Sequence, residues 1–171
     1  MADLAEGAEV SEEEAQAEAG NMIPHKKYLS KQDLKVLSEE IQKAERNTSG
    51  EIRVVFRHFR HWNERKLSLH DLSLGEFYRL GMDKTRNRTG VLILVLFSER
   101  KFQIIADEGI HAKVEEGTWD TLAGTMSGYF KDRHYREGIT ETVKSVGDIL
   151  STHFPRRDDD RNELSNDVIE S

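Results

Sequence analysis

The acidic pair Asp107-Glu108 directly follows an apolar run, Phe102 to Ala106, and is itself followed by Gly109. Two carboxylates at the end of a buried strand can hold Ca²⁺ or Mg²⁺, because hard divalent cations prefer oxygen ligands. The same residues can also form a solvated turn that caps a helix and pairs with nearby arginines. Which of these applies depends on the residues that the fold brings beside them.

Other catalytic signatures are missing from the sequence. The chain has no cysteine, which excludes thiol catalysis, cysteine-ligated zinc and disulfides. It has no HExxH pair, P-loop, GxGxxG or GxSxG motif. Asp83 in DKTRNRTG resembles an aspartyl-phosphate nucleophile, but it follows a helix end and Arg86 replaces the required glycine. Of the scattered histidines, His111 lies nearest to the acidic pair.

The segment RVVFRHFRHWNERK interleaves arginine and lysine with Phe59 and Trp62. Such a pattern can bind single-stranded nucleic acid through charge and base stacking. Alternation along a strand explains much of it, and the net charge of −7 opposes nucleic-acid binding. A nucleic-acid partner is therefore disfavoured.

The composition predicts one domain with two polar tails. The chain has 171 residues, of which 36% are hydrophobic and 33% charged. Residues 1–24 are predicted to form a disordered acidic tail, residues 25–155 the domain, and residues 156–171 a polar tail in which Leu164, Val168 and Ile169 can dock. There is no signal-peptide pattern and no apolar run of the roughly 20 residues that a membrane span needs. We expect a cytoplasmic monomer with no membrane span.

The spacing of apolar residues predicts seven elements in the order α–β–α–β–β–α–α. A helix capped by Ser30 is followed by the strand EIRVVFRHF, a helix over residues 69–82, the central strand GVLILVLF, its hairpin partner KFQIIA and two C-terminal helices. This order predicts a three-layer α/β/α sandwich on a small mixed sheet.

The direction of the strands determines which charged residues meet. The first two strands flank a helix and should be parallel, whereas the third should return antiparallel as a hairpin. The end of the third strand then lies beside the starts of the other two. The residues expected at this edge are the candidate cation ligands Glu45, Glu51, Asp107, Glu108 and Asp120, together with Arg86 and Arg88. Open parallel sheets usually bind ligands at the opposite edge, near His58 and Phe97.

The same segments resemble the TPM domain family of thylakoid acid-phosphatase-like domains, in particular its soluble bacterial branch. The matching segments are AERNTSGEIRVV, FYRLGMDKTRNRTGVLILV, RKFQIIADEGIHAKV and HYREGITETVKSVGDILSTHFP, with NEL beyond them. The resemblance implies an α/β/α sandwich, a divalent-cation site as in some members, and a phosphatase assignment. The chain departs from the family where Thr89 replaces a frequent asparagine, and in lacking the signal peptide and membrane anchor of many relatives.

Two functional hypotheses follow. In the first, the domain is a Ca²⁺- or Mg²⁺-binding interaction or regulatory module that recognises a protein partner and performs no chemistry. In the second, the same edge is a metal-assisted phosphomonoesterase, in which the cation polarises the phosphoryl oxygens and Arg86 or Arg88 clamps the phosphate. The enzyme ranks second because the sequence identifies no nucleophile or general base.

Overall fold

The computed structural model of the protein describes residues 2–6, 28–156 and 164–171. Five strands form one mixed sheet in the order β1-β4-β3-β2-β5. The strands are β1 (Ala2–Glu6), β2 (Glu51–Arg57), β3 (Gly90–Leu96), β4 (Lys101–Ala106) and β5 (Ile169–Glu170).

Helices cover both faces of this sheet. They are α1 (Lys31–Glu45), α2 (Leu69–Arg79), α3 (Glu108–His111), α4 (Thr118–Lys131) and α5 (Tyr135–His153). The α1, α4 and α5 helices pack on one face and α2 packs on the other, which confirms the predicted α/β/α sandwich. Ser30 caps α1 as predicted, since its hydroxyl accepts the Asp33 N–H at 3.1 Å and the Asp33 carboxylate accepts the Ser30 N–H. No helix in the described ranges combines the length and the apolar character needed to cross a membrane.

The predicted strand directions are confirmed. β2 and β3 are parallel, with Glu51 opposite Gly90, and β3 and β4 are antiparallel, with Val91 opposite Ala106. β2 and β3 therefore begin where β4 ends. We call this side of the sheet the entrance edge (residues 45–51, 85–90 and 106–113) and the opposite side the exit edge (residues 57–68 and 97–101).

Both outer strands come from segments that were predicted to be tails. β1 pairs antiparallel with β4 and β5 pairs parallel with β2, so each covers backbone groups that a sheet edge would leave unpaired. A strand in the predicted disordered tail is a difference from the sequence expectation; residues 7–24 of that tail, and 157–163 of the other, lie outside the described residues. Val168 packs on the core under α1, α4 and α5, and Leu164 and Ile169 pack on the core under α2.

The two faces of β2 differ in polarity. Ile52, Val54 and Phe56 point into the larger core. On the α2 face only Val55 is apolar, because the alternate positions are Glu51, Arg53 and Arg57, all of them buried. Since buried charges need partners, this face has to provide internal ion pairs or hydrogen bonds.

Candidate functional site at the entrance edge

Asp107 is fully buried at the end of β4 and is neutralised by an arginine. The Arg88 Nε lies 2.9 Å from one carboxylate oxygen and 3.0 Å from the other. The same carboxylate accepts the Glu108 N–H at 2.8 Å and so caps α3. The hydrogen bond from Arg88 to Asp107 and the charge of Asp107 raise the pKa of Arg88. Asp107, which was predicted to bind a metal cation, is thus paired with the guanidinium of Arg88 instead.

Gly109 allows the loop that precedes β3 to approach α3 closely. Its N–H donates to the Arg88 carbonyl at 3.1 Å. A Cβ atom at this position would come within 2.6 Å of the Arg88 carbonyl oxygen and still closer to that of Asn87. Arg88 itself has a left-handed backbone, with φ of 55°. Contact between the two loops therefore requires glycine at position 109.

Glu45, the last residue of α1, satisfies a backbone donor at the outer side of β2. One oxygen of its buried carboxylate accepts the Ile52 N–H at 2.6 Å, and the other accepts the Asn166 side-chain amide from the C-terminal segment. Burial, and to a smaller extent the nearby charge of Glu51, raise the pKa of Glu45 to about 8 and outweigh the Ile52 hydrogen bond. Glu45 and Glu51 therefore lie close enough to repel each other when both are ionised.

Arg53 is the buried cation nearest to this pair. Burial lowers its pKa, whereas the charges of Glu45, Glu51 and Asp167 act in the opposite direction. The C-terminal segment thus contributes both Asn166 and Asp167 to this group. Sequence reasoning did not identify Arg53, although a signal was present: Glu51, Arg53 and Arg57 alternate with three apolar residues along β2.

The structure thus separates the predicted cation ligands into two groups. Glu45 and Glu51 lie together on one side of β3, and Asp107 lies with Arg88 on the other. Glu108, His111 and Asp120 are exposed, as is Arg86. Within the described ranges, no three histidine, aspartate or glutamate side chains are grouped so that they could hold a metal ion.

A cleft of about 460 Å³ opens at the same edge. Its first wall is built by the turn before β2 and the residues after α5: the Thr48 hydroxyl donates to the Phe154 carbonyl at 2.7 Å, and the Ser49 N–H donates to the same carbonyl at 3.0 Å. Thr89, the residue that departs from the family pattern, donates from its hydroxyl to the Ser49 carbonyl at 3.3 Å. The second wall is the pair of loops joined at Gly109. The lining residues are Ser49, Asn87, Gly109, Lys113, His153, Phe154, Pro155 and Arg156.

The lining of this entrance cleft is cationic. Among the described residues, its lining contains Lys113, Arg156 and His153 and no carboxylate. The Lys113 ammonium lies 4.8 Å from the centre of the Phe154 ring, a cation–π contact that positions it. Sequence reasoning missed all three residues, which come from the ends of α3 and α5 and have no common local pattern. Lysine and arginine beside backbone and amide donors suit an anion, a phosphate or carboxylate group above all.

Comparison with known proteins agrees with the fold. The NMR structure of the BA42 protein from the psychrophilic bacterium Bizionia argentinensis superposes with a TM-score of 0.77 at 31% identity, covering 86% of this chain and 98% of that protein. The N-terminal domain of a P. gingivalis protein superposes with a TM-score of 0.61 at 21% identity, covering 76% of this chain and 83% of that domain. The second similarity bears on the fold alone.

A third solved structure, the N-terminal domain of the cg2496 protein from Corynebacterium glutamicum, gives a TM-score of 0.54 at 12% identity, over 71% of this chain and 74% of that one. No curated protein matches the chain. The sequence model of the TPM domain matches residues 23–149. Because this match covers most of the chain and agrees with the fold, the protein belongs to the TPM domain family.

Proposed function

We propose that the protein is a binding module that takes a phosphate- or carboxylate-bearing ligand in the entrance cleft and performs no chemistry on it. The observation that carries this proposal is the lining of the cleft: Lys113 and Arg156 converge beside His153, with no carboxylate among the described lining residues, in a chain whose net charge is −7. A local cationic concavity in an acidic protein focuses the electrostatic potential on one anion-binding point.

The size and construction of the cleft support this role. Its volume of about 460 Å³ falls within the range of ligand-binding clefts in proteins. The phosphate clamp expected at Arg86 and Arg88 moves in this proposal to Lys113 and Arg156, because Arg88 already neutralises the buried Asp107. Binding ranks above hydrolysis because Ser49 and His153, the hydroxyl and imidazole of the described lining, are not hydrogen-bonded to each other.

Cation binding is the second candidate function, and the closeness of the buried carboxylates of Glu45 and Glu51 favours it. Because the pKa of Glu45 is raised to about 8, a divalent cation bound between the two buried carboxylates would displace a proton from Glu45 at neutral pH. The other three predicted ligands, Asp107, Glu108 and Asp120, do not lie beside this pair. Glu45, Glu51 and solvent oxygens would therefore form most of the coordination shell.

A titration followed by ¹H–¹⁵N NMR tests the first candidate. Inorganic phosphate should shift the amide signals of Ser49, Asn87 and Gly109, and the Lys113→Gln/Arg156→Gln variant should bind at least about tenfold more weakly, because two charge-assisted contacts are lost. Arg86→Gln, at the same edge but outside the cleft, is the matched control. If Arg86→Gln weakens binding as much as the double variant does, the assignment to the cleft is wrong.

Two further measurements separate the other possibilities. Ca²⁺ or Mg²⁺ should shift the amides of Glu45 and Ile52 if the glutamate pair binds cations, and Glu51→Gln should remove that response. Turnover of an aryl phosphate that is lost on chelation and in the Lys113→Gln/Arg156→Gln variant would establish the phosphomonoesterase in place of the binding module.

A further inference from the structure

One buried and one partly buried arginine hold the loop that joins β2 to α2, residues 58–68, which we call the exit loop. Arg57, at the end of β2, donates to Glu76 of α2 at 2.7 Å and to Glu64 of the loop at 2.6 Å. The carboxylate of Glu64 also accepts the His61 N–H at 2.8 Å. The middle of the loop is thus attached to both the sheet and the helix.

Arg60 attaches the loop at a second point. Its guanidinium donates to both carboxylate oxygens of Glu99, in the turn between β3 and β4, and to the Leu67 carbonyl at 2.6 Å. The pairing with Glu99 raises the pKa of Arg60. Two of the basic residues in this segment are therefore neutralised inside the protein and give the loop a fixed shape.

The same arrangement leaves apolar side chains outside. Trp62 is 83% exposed, Phe59 is 60% exposed and Leu67 is 43% exposed. Across the described ranges five large apolar residues are exposed, and these three come from a single loop. An exposed apolar cluster on a well-anchored loop marks an interaction surface.

Two cations accompany the cluster. Arg65 and Lys66 are exposed, and neither forms an ion pair with any other described residue. The loop therefore presents apolar groups and positive charge together, on a protein that is acidic as a whole. A negatively charged surface would repel most of the molecule and attract this loop, which fixes the orientation of approach.

We propose that the exit loop binds the surface of an anionic lipid bilayer, with Trp62, Phe59 and Leu67 in the interfacial region and Arg65 and Lys66 against the lipid phosphates. Tryptophan prefers the membrane interface, and lysine and arginine next to it are attracted to anionic headgroups. Exposed apolar side chains can enter a fluid bilayer, whereas a rigid protein partner would need a matching pocket. The site is independent of the entrance cleft at the other end of the strands.

Single-stranded nucleic acid fits this surface less well. Base stacking would use the rings of Trp62 and Phe59 but gain little from Leu67, which has no aromatic face. Nucleic-acid binders also line a groove with many cations that follow the phosphate backbone. Here two of the four cations between Arg57 and Lys66 are committed to internal carboxylates.

Vesicle binding tests the proposal on the full chain. Vesicles of phosphatidylcholine mixed equally with phosphatidylserine should bind the protein, and vesicles of phosphatidylcholine alone should bind it several-fold more weakly. The chain has two tryptophans, and Trp119 is buried at 4% exposure. A shift of the fluorescence emission to shorter wavelength on binding therefore reports on Trp62.

Three variants complete the test. Trp62→Ala should reduce vesicle binding on the order of tenfold, through the loss of buried apolar surface. Arg65→Glu/Lys66→Glu should abolish the preference for phosphatidylserine. Tyr78→Ala, which removes an aromatic side chain that is 51% exposed on α2, is the control and should bind as the parent does.

Several outcomes would overturn the assignment. The absence of binding to either vesicle, or equal loss in Trp62→Ala and Tyr78→Ala, would exclude the exit loop as a bilayer site. Tighter binding to a single-stranded oligonucleotide than to phosphatidylserine vesicles, with Trp62 fluorescence quenched, would assign the loop to nucleic acid. A far-ultraviolet circular dichroism spectrum that matches that of the parent in each variant shows that the fold is retained.

Discussion

The entrance and exit edges of the sheet are both rich in charge, but they present opposite chemistry to solvent. At the entrance edge the carboxylates of Asp107, Glu45 and Glu51 are turned inward, and a concave cleft lined by lysine, arginine and histidine remains. At the exit edge it is Arg57 and Arg60 that are held by internal carboxylates, and the exit loop exposes apolar side chains.

This difference shows that charged residues at strand ends do not by themselves define the ligand. A charge that is needed to satisfy a buried partner is removed from the surface, and the residues left over determine what the surface can bind. The acidic pair in the sequence therefore accompanies a cationic cleft, and the basic run accompanies an apolar loop.

The largest expected effect is the pH dependence contributed by Glu45. Its pKa rises from 4.5 in the unfolded chain to about 8 in the folded protein, so between these values the folded state holds a proton that the unfolded state has released. The stabilising contribution is complete below pH 4.5 and is lost as the pH rises to about 8. The loss should be roughly 5 kcal/mol, at about 1.4 kcal/mol per pH unit.

Urea unfolding across this pH interval measures the effect. Glu45→Gln mimics the protonated carboxyl, so the free energy of unfolding of this variant should lose that slope. Glu39→Gln, at an exposed position of the same helix, is the control and should retain it. Parallel curves for the parent and Glu45→Gln would mean that Glu45 is ionised in the folded protein and that the entrance edge carries more negative charge than we infer.

At the exit edge, Arg57→Met should lower the free energy of unfolding by about 3 kcal/mol, because Glu64 and Glu76 lose a shared buried cation. Arg79→Met removes a more exposed partner of the same Glu76 carboxylate and should cost about 0.5 kcal/mol or less. Urea denaturation gives both values. Equal costs for the two variants would show that the buried arginine is not what fixes the exit loop.

Gly109→Ala tests the close contact that forms one wall of the entrance cleft. The added Cβ would collide with the backbone of the loop before β3, and we expect a loss of about 2 kcal/mol in the free energy of unfolding. Gly124→Ala is the matched control, since it lies in α4 with open space around it and should stabilise the protein by up to about 1 kcal/mol. If thermal unfolding ranks the two in the reverse order, the loops do not meet as closely as described.

The architecture could be predicted from the sequence because its signals are local. The 3.6-residue spacing of α1 and α5, and the apolar runs of β2, β3 and β4, give the elements, and strand direction places the start of β2 beside the end of β4. β1 and β5 could not be predicted in this way. They form because the sheet offers unpaired backbone groups at its edges, and their own composition is not typical of strands.

The candidate site was only partly predictable for a related reason. Strand direction predicts one common group of carboxylates and arginines at this edge, but it does not specify which partner each carboxylate takes. Asn166 and Asp167 reach Glu45 and Arg53 only because the C-terminal segment docks on β2. Lys113, His153 and Arg156 meet at the ends of separate elements, a proximity that depends on how α3 and α5 pack.

The smallest expected effect compares two arginines of the exit loop that point in opposite directions. Arg60→Gln loses the pairing with Glu99 and the bond to the Leu67 carbonyl, and should lower the free energy of unfolding by about 1 kcal/mol, since the pair is partly exposed. Arg65→Gln should change the free energy of unfolding by less than about 0.5 kcal/mol, because the charge of Arg65 faces solvent.

The effects of the two variants on vesicle binding should differ in kind. Arg65→Gln weakens the attraction to phosphatidylserine with the loop unchanged, whereas Arg60→Gln loosens the loop and alters the Trp62 emission before any lipid is added. If Arg65→Gln proves the more destabilising of the two, the division between inward and outward charges at this edge is wrong, and the bilayer site loses its structural basis.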